Sequence, residues 1–152
     1  MGQKMAYKGF FKPRNREKYK GDPTKIIYRS GWELKLMQYL DHHSDVVEWQ
    51  SEGVAIPYRS VIDNRMHRYF PDFIVKFRDA QGKEKTVMIE VKPHGQTQPP
   101  KPVKNKKTKK YINEVITYGV NLSKWQAAEK YCKDRNWEFT LMTEEHEPSW
   151  KM

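Results

Sequence analysis

The chain has 152 residues, room for one compact domain and little more. Hydrophobic residues make up 37% and aromatics 13%, which excludes a disordered chain in spite of a mean hydropathy of −0.99. Twenty-nine Lys and Arg against 19 Asp and Glu leave a formal net charge of +10, which calls for a polyanionic partner, nucleic acid first. No 18-residue apolar run, secretory leader or lipidation motif is visible, so a soluble protein with no membrane partner is expected. Cys132 is the single cysteine, which rules out an internal disulfide and a cysteine-based zinc cluster and suits a reducing compartment. At helical spacing from Trp125 and Ala128, its thiol reads as core rather than nucleophile.

Residues 1 to 20 hold seven Lys or Arg and one Glu, interleaved with Tyr7, Phe10, Phe11 and Tyr19. They read either as a basic arm along a phosphate backbone, through Lys12, Arg14 and Arg16, or as a terminus that packs a few aromatics. Residues 21 to 152 are expected to form one domain. From Ser30 to about His42, Glu33, Leu36, Met37 and Leu40 fall on one face of a helix. Ser30 is its N-cap and Glu33 occupies the capping-box position, although a carboxylate on that apolar face is costly unless something else uses it.

Residues 46 to 59 read as one strand or a pair broken near Gly53, with Pro57 favouring an edge. The segment "HRYFPDFIVKFRD" alternates as a strand and turns at "DAQGK" into "TVMIEVK", whose near-continuous apolar run predicts a central strand covered on both faces. Pro93 ends that strand. The loop that follows carries Pro99, Pro100, Pro102 and six Lys between residues 101 and 110, either a solvated face or a DNA contact. Ile112, Val115, Ile116 and Val120 then predict a helix ending or bending at Gly119. A second helix is predicted from Ser123, with Gln126 completing a capping box, and "WEFTLMTE" is a final strand. The order gives an α/β architecture, a mixed central sheet flanked by helices.

Three charges interrupt the two central strands: Asp72, Glu90 and Lys92. Glu90 and Lys92, at i and i+2, point to the same side of their strand. A tight turn near Gly82 makes the strands antiparallel neighbours and brings Asp72 beside the Glu90 end. A partly buried salt bridge would account for Lys92 and one carboxylate but leave the other unexplained. Two facing carboxylates are a natural seat for Mg2+, which polarises a phosphate and eases formation of hydroxide from bound water. Lys92 would orient that water or meet the charge growing on phosphorus, so the trio points to phosphodiester hydrolysis.

"PD" at Pro71 and Asp72, followed 18 residues on by "EVK" at Glu90 to Lys92, resembles the PD-(D/E)xK signature of restriction-endonuclease-like nucleases. The layout "YRSGWELKLMQYLD", "YFPDF" and "IEVKP", with a late helix running into "RNWEFTLMTE", is similar to TnsA-type transposon endonucleases. Over nearly its full length the chain also resembles small nucleases of T-even-type bacteriophages that act late in head assembly, around DNA packaging.

The resemblance implies a restriction-endonuclease-like fold and a Mg2+-dependent DNA endonuclease, with Mn2+ an alternative metal. It implies Asp72 and Glu90 as metal ligands, Glu33 as an auxiliary ligand, the Val91 carbonyl as a further one, and Lys92 as the residue aiding the nucleophilic water. Double-stranded DNA is the expected partner, contacted by Lys12, Arg14, Arg16, His94, Lys104, Lys106 and Lys107. Other phage head or portal proteins are possible partners, and the virion or the host cytoplasm is the expected location. Two rivals stand: a structural DNA-binding plug that keeps the nuclease fold, and a Holliday-junction-resolvase-like enzyme. Gln96, Gln98, His67 and Arg68 are candidate DNA contacts, and Gln126 and Glu129 candidate supporting residues, with surface exposure the plainer reading.

Overall fold

The structure is a computed structural model that describes residues 8–143; Tyr7 and His146 lie outside them. Its centre is a four-stranded mixed sheet in the order β3 (Val46–Ser51), β6 (Phe73–Arg78), β7 (Glu84–Val91), β8 (Glu138–Met142). β6 pairs antiparallel with both β3 and β7, and β8 runs parallel to β7. β7 is therefore a central strand, and Val87, Met88, Ile89 and Glu90 are all buried, as its unbroken apolar run requires.

Alternation along the strands divides the core in two. Phe73, Val75, Val87 and Ile89 face helix α1 (Gly31–His42), packing with Leu36, Met37, Leu40 and Trp49. Ile74 and Met88 face helix α2 (Lys109–Asp134), packing with Ala128 and Cys132. The sheet thus has one helix on each side. α1 starts where the sequence places it, the Ser30 Oγ accepting the Glu33 N–H at 3.0 Å.

Residues 109 to 134 depart from expectation: the two predicted helices are one, of 26 residues. Gly119 does not break it, and a Cβ there would lie 3.4 Å from Val61 Cγ2, at the near limit of ordinary contact. Ser123 does not cap a new helix; its Oγ donates back to the Gly119 carbonyl at 3.2 Å. A mid-helix Gly costs only about 1 kcal/mol, which a 26-residue helix anchored by buried Trp125, Ala128 and Cys132 tolerates. Thr108 is the cap in fact, accepting the Tyr111 N–H at 3.3 Å.

The break near Gly53 is real, and Glu52 takes a positive φ of 51° there. Beyond it, β4 (Ile56–Arg59) and β5 (Met66–Tyr69) form a separate two-stranded hairpin, with Pro57 on an edge strand. The segment before Asp72, expected to run straight into β6, is interrupted at Pro71, so β5 and β6 belong to different sheets.

Of the two readings of the N-terminal segment, packing holds from residue 8 onward. β1 (Gly9–Phe11) pairs with β2 (Ile26–Tyr28), Phe11 is buried, and the Tyr19 ring meets Trp49 edge-on at 4.7 Å between centroids. The buried Asp41 carboxylate accepts the N–H groups of Arg14 and Asn15 at 2.9 and 3.0 Å. Lys18 Nζ donates to the carbonyls of Asp41 and His43. These bonds pin the backbone, while Lys12, Arg14 and Arg16 stay exposed.

Candidate active site

The β6–β7 register pairs Phe73 with Ile89, which sets Asp72 at the end of β7 that carries Glu90 to Lys92. The Val91 N–H donates to Asp72 Oδ2 at 2.8 Å, tying the first carboxylate to the backbone between the other two charges. Lys92 Nζ lies 3.5 Å from Glu90 Oε2. The Glu90 side chain is 7% exposed and that of Lys92 25%, so the ammonium reaches solvent and the carboxylate does not. The salt-bridge reading of Lys92 is thus satisfied by Glu90, and Asp72 feels the ammonium only as a weaker, opposing influence.

That imbalance has an electrostatic signature. Burial pushes the Asp72 carboxyl up to about 7, the neighbouring Glu90 and Glu33 carboxylates add to the rise, and the Val91 N–H and Lys92 only partly oppose it. The carboxylates of Asp72, Glu90 and Glu33 act on one another at this sheet end, a condition that favours a bound cation.

Glu33 acts as the helix cap. Its Oε1 accepts the Arg29 N–H at 3.1 Å at the start of α1, one residue earlier than a standard capping box. Burial also raises its carboxyl, offset by the Arg29 N–H and reinforced by Glu52 and Glu90. Glu52 in turn holds Arg29 at 3.1 Å and donates its N–H to the Asp72 carbonyl, so the linker after β3 joins the N-terminus of α1 to the Asp72 turn. Among the described residues, no three His, Cys, Asp or Glu side chains are grouped closely enough to hold a metal ion by themselves. Glu33 feels the Asp72 and Glu90 carboxylates through their fields.

Two residues escaped the sequence reading, Tyr69 first. Tyr69 Oη donates to Glu90 Oε1 at 2.6 Å, and both residues are 5% exposed. Burial first, then Glu90, drives its phenol well above the ordinary range, so it remains a proton donor at any working pH. The available signal was local: in β5, Met66, His67 and Arg68 are exposed and only Tyr69 turns inward, three residues before Asp72. Lys124 on α2 was also missed; its ammonium stands 5.8 Å from the Tyr69 ring centre and 6.0 Å from that of Tyr58.

The other candidates separate by position. Lys104, Lys106 and Lys107 are exposed in the segment before α2, and His94 is exposed two residues past Lys92. His67 Nε2 lies 2.8 Å from Asp63 Oδ2, within the hairpin, and the Arg68 guanidinium lies 5.7 Å over the Phe70 ring. Gln126 and Glu129 are exposed. Glu129 and Lys130 line an open cleft with Trp137 and Phe139, toward the end of β7 opposite Glu90, since Glu138 pairs with Val87. Cys132 is buried with its Sγ 3.8 Å from Met88 Sδ, and burial raises its thiol to about 11, as a core residue requires.

With this geometry in place, comparison with known proteins is informative. Residues 43–144 match the family described as TnsA-like endonuclease N terminal, a span that contains Asp72, Glu90 and Lys92 but not Glu33. The chain is also 40% identical, over 144 residues and 93% of both sequences, to a protein of Enterobacteria phage T4 named head completion nuclease.

Proposed function

The chain belongs to the TnsA-like endonuclease family, and from that premise we propose that it is a Mg2+-dependent endodeoxyribonuclease acting in the completion of phage heads, during or after DNA packaging. The observation that carries the chemistry is the convergence of Asp72, Glu90 and Lys92 at the paired ends of β6 and β7.

The residues fit a divalent cation by charge: a dication would offset the burial, beside Glu90 and Glu33, that lifts the Asp72 carboxyl to about 7. Mg2+ is commonly held by one or two carboxylates together with waters and substrate phosphates, a demand that Asp72 and Glu90 can meet. Asp72 and Glu90 would hold it, with the Val91 carbonyl and Glu33 as further donors, and Mn2+ would fit the same oxygens. When bound, the metal supplies a polarised phosphate and a more acidic water.

The protein's own groups do the rest. The Val91 N–H fixes the Asp72 carboxylate. Lys92, partly exposed, is free to exchange its Glu90 contact for a water or a phosphate oxygen in the transition state. Lys12, Arg14, Arg16, His94, Lys104, Lys106 and Lys107 would hold double-stranded DNA through its phosphates, with steep salt dependence and little base readout. Head or portal proteins would be its other partners, in the virion or the host cytoplasm.

The test is cleavage of linear, supercoiled and branched DNA by wild type and Glu90→Ala, with Mg2+, Mn2+ or EDTA. Metal-dependent cutting that Glu90→Ala lacks is the expected result, and preference for branched DNA would assign the protein to junction resolution. Tight binding without cutting in any metal would overturn the enzymatic reading in favour of a structural plug.

A further inference from the structure

We propose that Tyr69 is a positioning residue of the nuclease site: it holds one oxygen of the Glu90 carboxylate in place, so that the other stays available to Lys92 and the metal. The proposal rests on the reading of Glu90 given above.

The two oxygens of Glu90 are treated differently. Oε1 accepts a 2.6 Å bond from the Tyr69 hydroxyl, the short distance of a charge-assisted O–H···O⁻ contact. Oε2 faces an ammonium at 3.5 Å, longer and borne on a flexible, partly exposed chain. Lys92 can leave Oε2 to meet a phosphate or a water, whereas Tyr69 cannot leave Oε1. Its ring is buried, paired across the hairpin with Ile56 and covered on one face by Lys124 of α2. Three elements converge to immobilise this phenol: β4, β5 and α2.

A purely structural role does not explain the chemistry chosen. A Phe at position 69 would fill the same apolar space against Ile56, Ile74 and Met88, and the hydroxyl adds nothing to that packing. What it adds is a fixed donor for a carboxylate that, without it, would be a buried acceptor free to turn about its own side-chain bonds. Donors of this kind, one bond removed from the reacting groups, commonly change metal affinity or activity by about 10- to 100-fold when deleted.

Tyr69→Phe, Glu90→Gln and the double variant, each checked by thermal melting, would be compared with wild type in two assays. One is cleavage of a duplex DNA over a Mg2+ series, giving kcat and KM. The other is Mn2+ binding by calorimetry without DNA, which does not depend on turnover. Tyr69→Phe is expected to lower kcat by about 10- to 100-fold with KM for DNA within about two-fold of wild type, and to weaken Mn2+ binding by about ten-fold. In the Glu90→Gln background the same substitution should leave Mn2+ binding unchanged, because the carboxylate it acts through is gone.

Cleavage by Tyr69→Phe within about two-fold of wild type, with Glu90→Gln inactive, would overturn the proposal and leave the site intact. So would an effect of Tyr69→Phe on Mn2+ binding that persists in the double variant, which also lacks the unsatisfied carboxylate that could weaken folding in the single one. Normal cleavage by Glu90→Gln would remove the site reading itself, and this proposal with it.

Discussion

Asp72→Asn should stabilise the metal-free protein at neutral and alkaline pH, an unusual outcome for a change at a buried polar residue. The Asp72 carboxyl takes its proton near pH 7 in the folded chain, against an ordinary 3.8. Between those values the folded state binds more protons than the unfolded state, so stability falls as pH rises through that window. Below about pH 4 the contribution is fully present; above about pH 7 it is lost. At about 1.4 kcal/mol per pH unit the difference amounts to about 4 kcal/mol, on the order of 10 °C in Tm for a chain of this size. Asn keeps an oxygen for the Val91 N–H, which now meets Asp72 Oδ2 at 2.8 Å, but carries no charge. Urea unfolding of both proteins in EDTA, from pH 4 to pH 8, should therefore give curves that coincide at the acid end and diverge upward. Mg2+ should close the gap at pH 8 by stabilising the wild type. A wild type that holds its stability relative to Asp72→Asn across this range would refute the claim that burial beside Glu90 and Glu33 disfavours the Asp72 carboxylate.

Lys92→Ala should abolish cleavage while leaving DNA affinity nearly intact in a Ca2+ or EDTA binding assay, since the ammonium is directed at Glu90 rather than outward along a phosphate track. Neutralising Lys104, Lys106 and Lys107 together should weaken binding and flatten the slope of log K against log salt by about 3, measured by fluorescence anisotropy. Asp41→Ala should destabilise the fold by about 3 kcal/mol in chemical denaturation, because the N–H groups of Arg14 and Asn15 lose their acceptor together. Gly119→Ala should raise stability by up to about 1 kcal/mol, because helix propensity favours Ala in a continuous α2 and the Val61 methyl has only to give way slightly. A helix broken at Gly119 would show no such gain.

The parts of the site that could be read from the sequence are those fixed by strand geometry. A period of two puts Glu90 and Lys92 on one side, and the short "DAQGK" turn forces β6 and β7 into an antiparallel pair; together they place Asp72 at the right end without tertiary information. The α1 cap was legible for the same reason, since Ser30 and Glu33 act within one turn. What was illegible depends on contacts between elements distant in sequence. Gly119 and Ser123 read as punctuation locally, yet the helix runs through both, against the 60–65 turn that lies 58 residues earlier at Val61. Docking of residues 8–20 depends on Asp41 offering a buried carboxylate to two backbone N–H groups, a pairing that no periodicity encodes.

Tyr69 is the instructive case, because its place on the chain and its place in the site follow different rules. Along the chain it closes a mostly exposed hairpin that belongs to another sheet. In space the Pro71 break lets β5 stop short of β6, and Tyr69 is left over Glu90. Pro71 can supply no N–H to either ladder. The "PD" pair thus has two physical parts: Asp72 brings the charge, and Pro71 lies in the unpaired step between β5 and β6, where the Tyr69 side chain crosses to the carboxylate on β7.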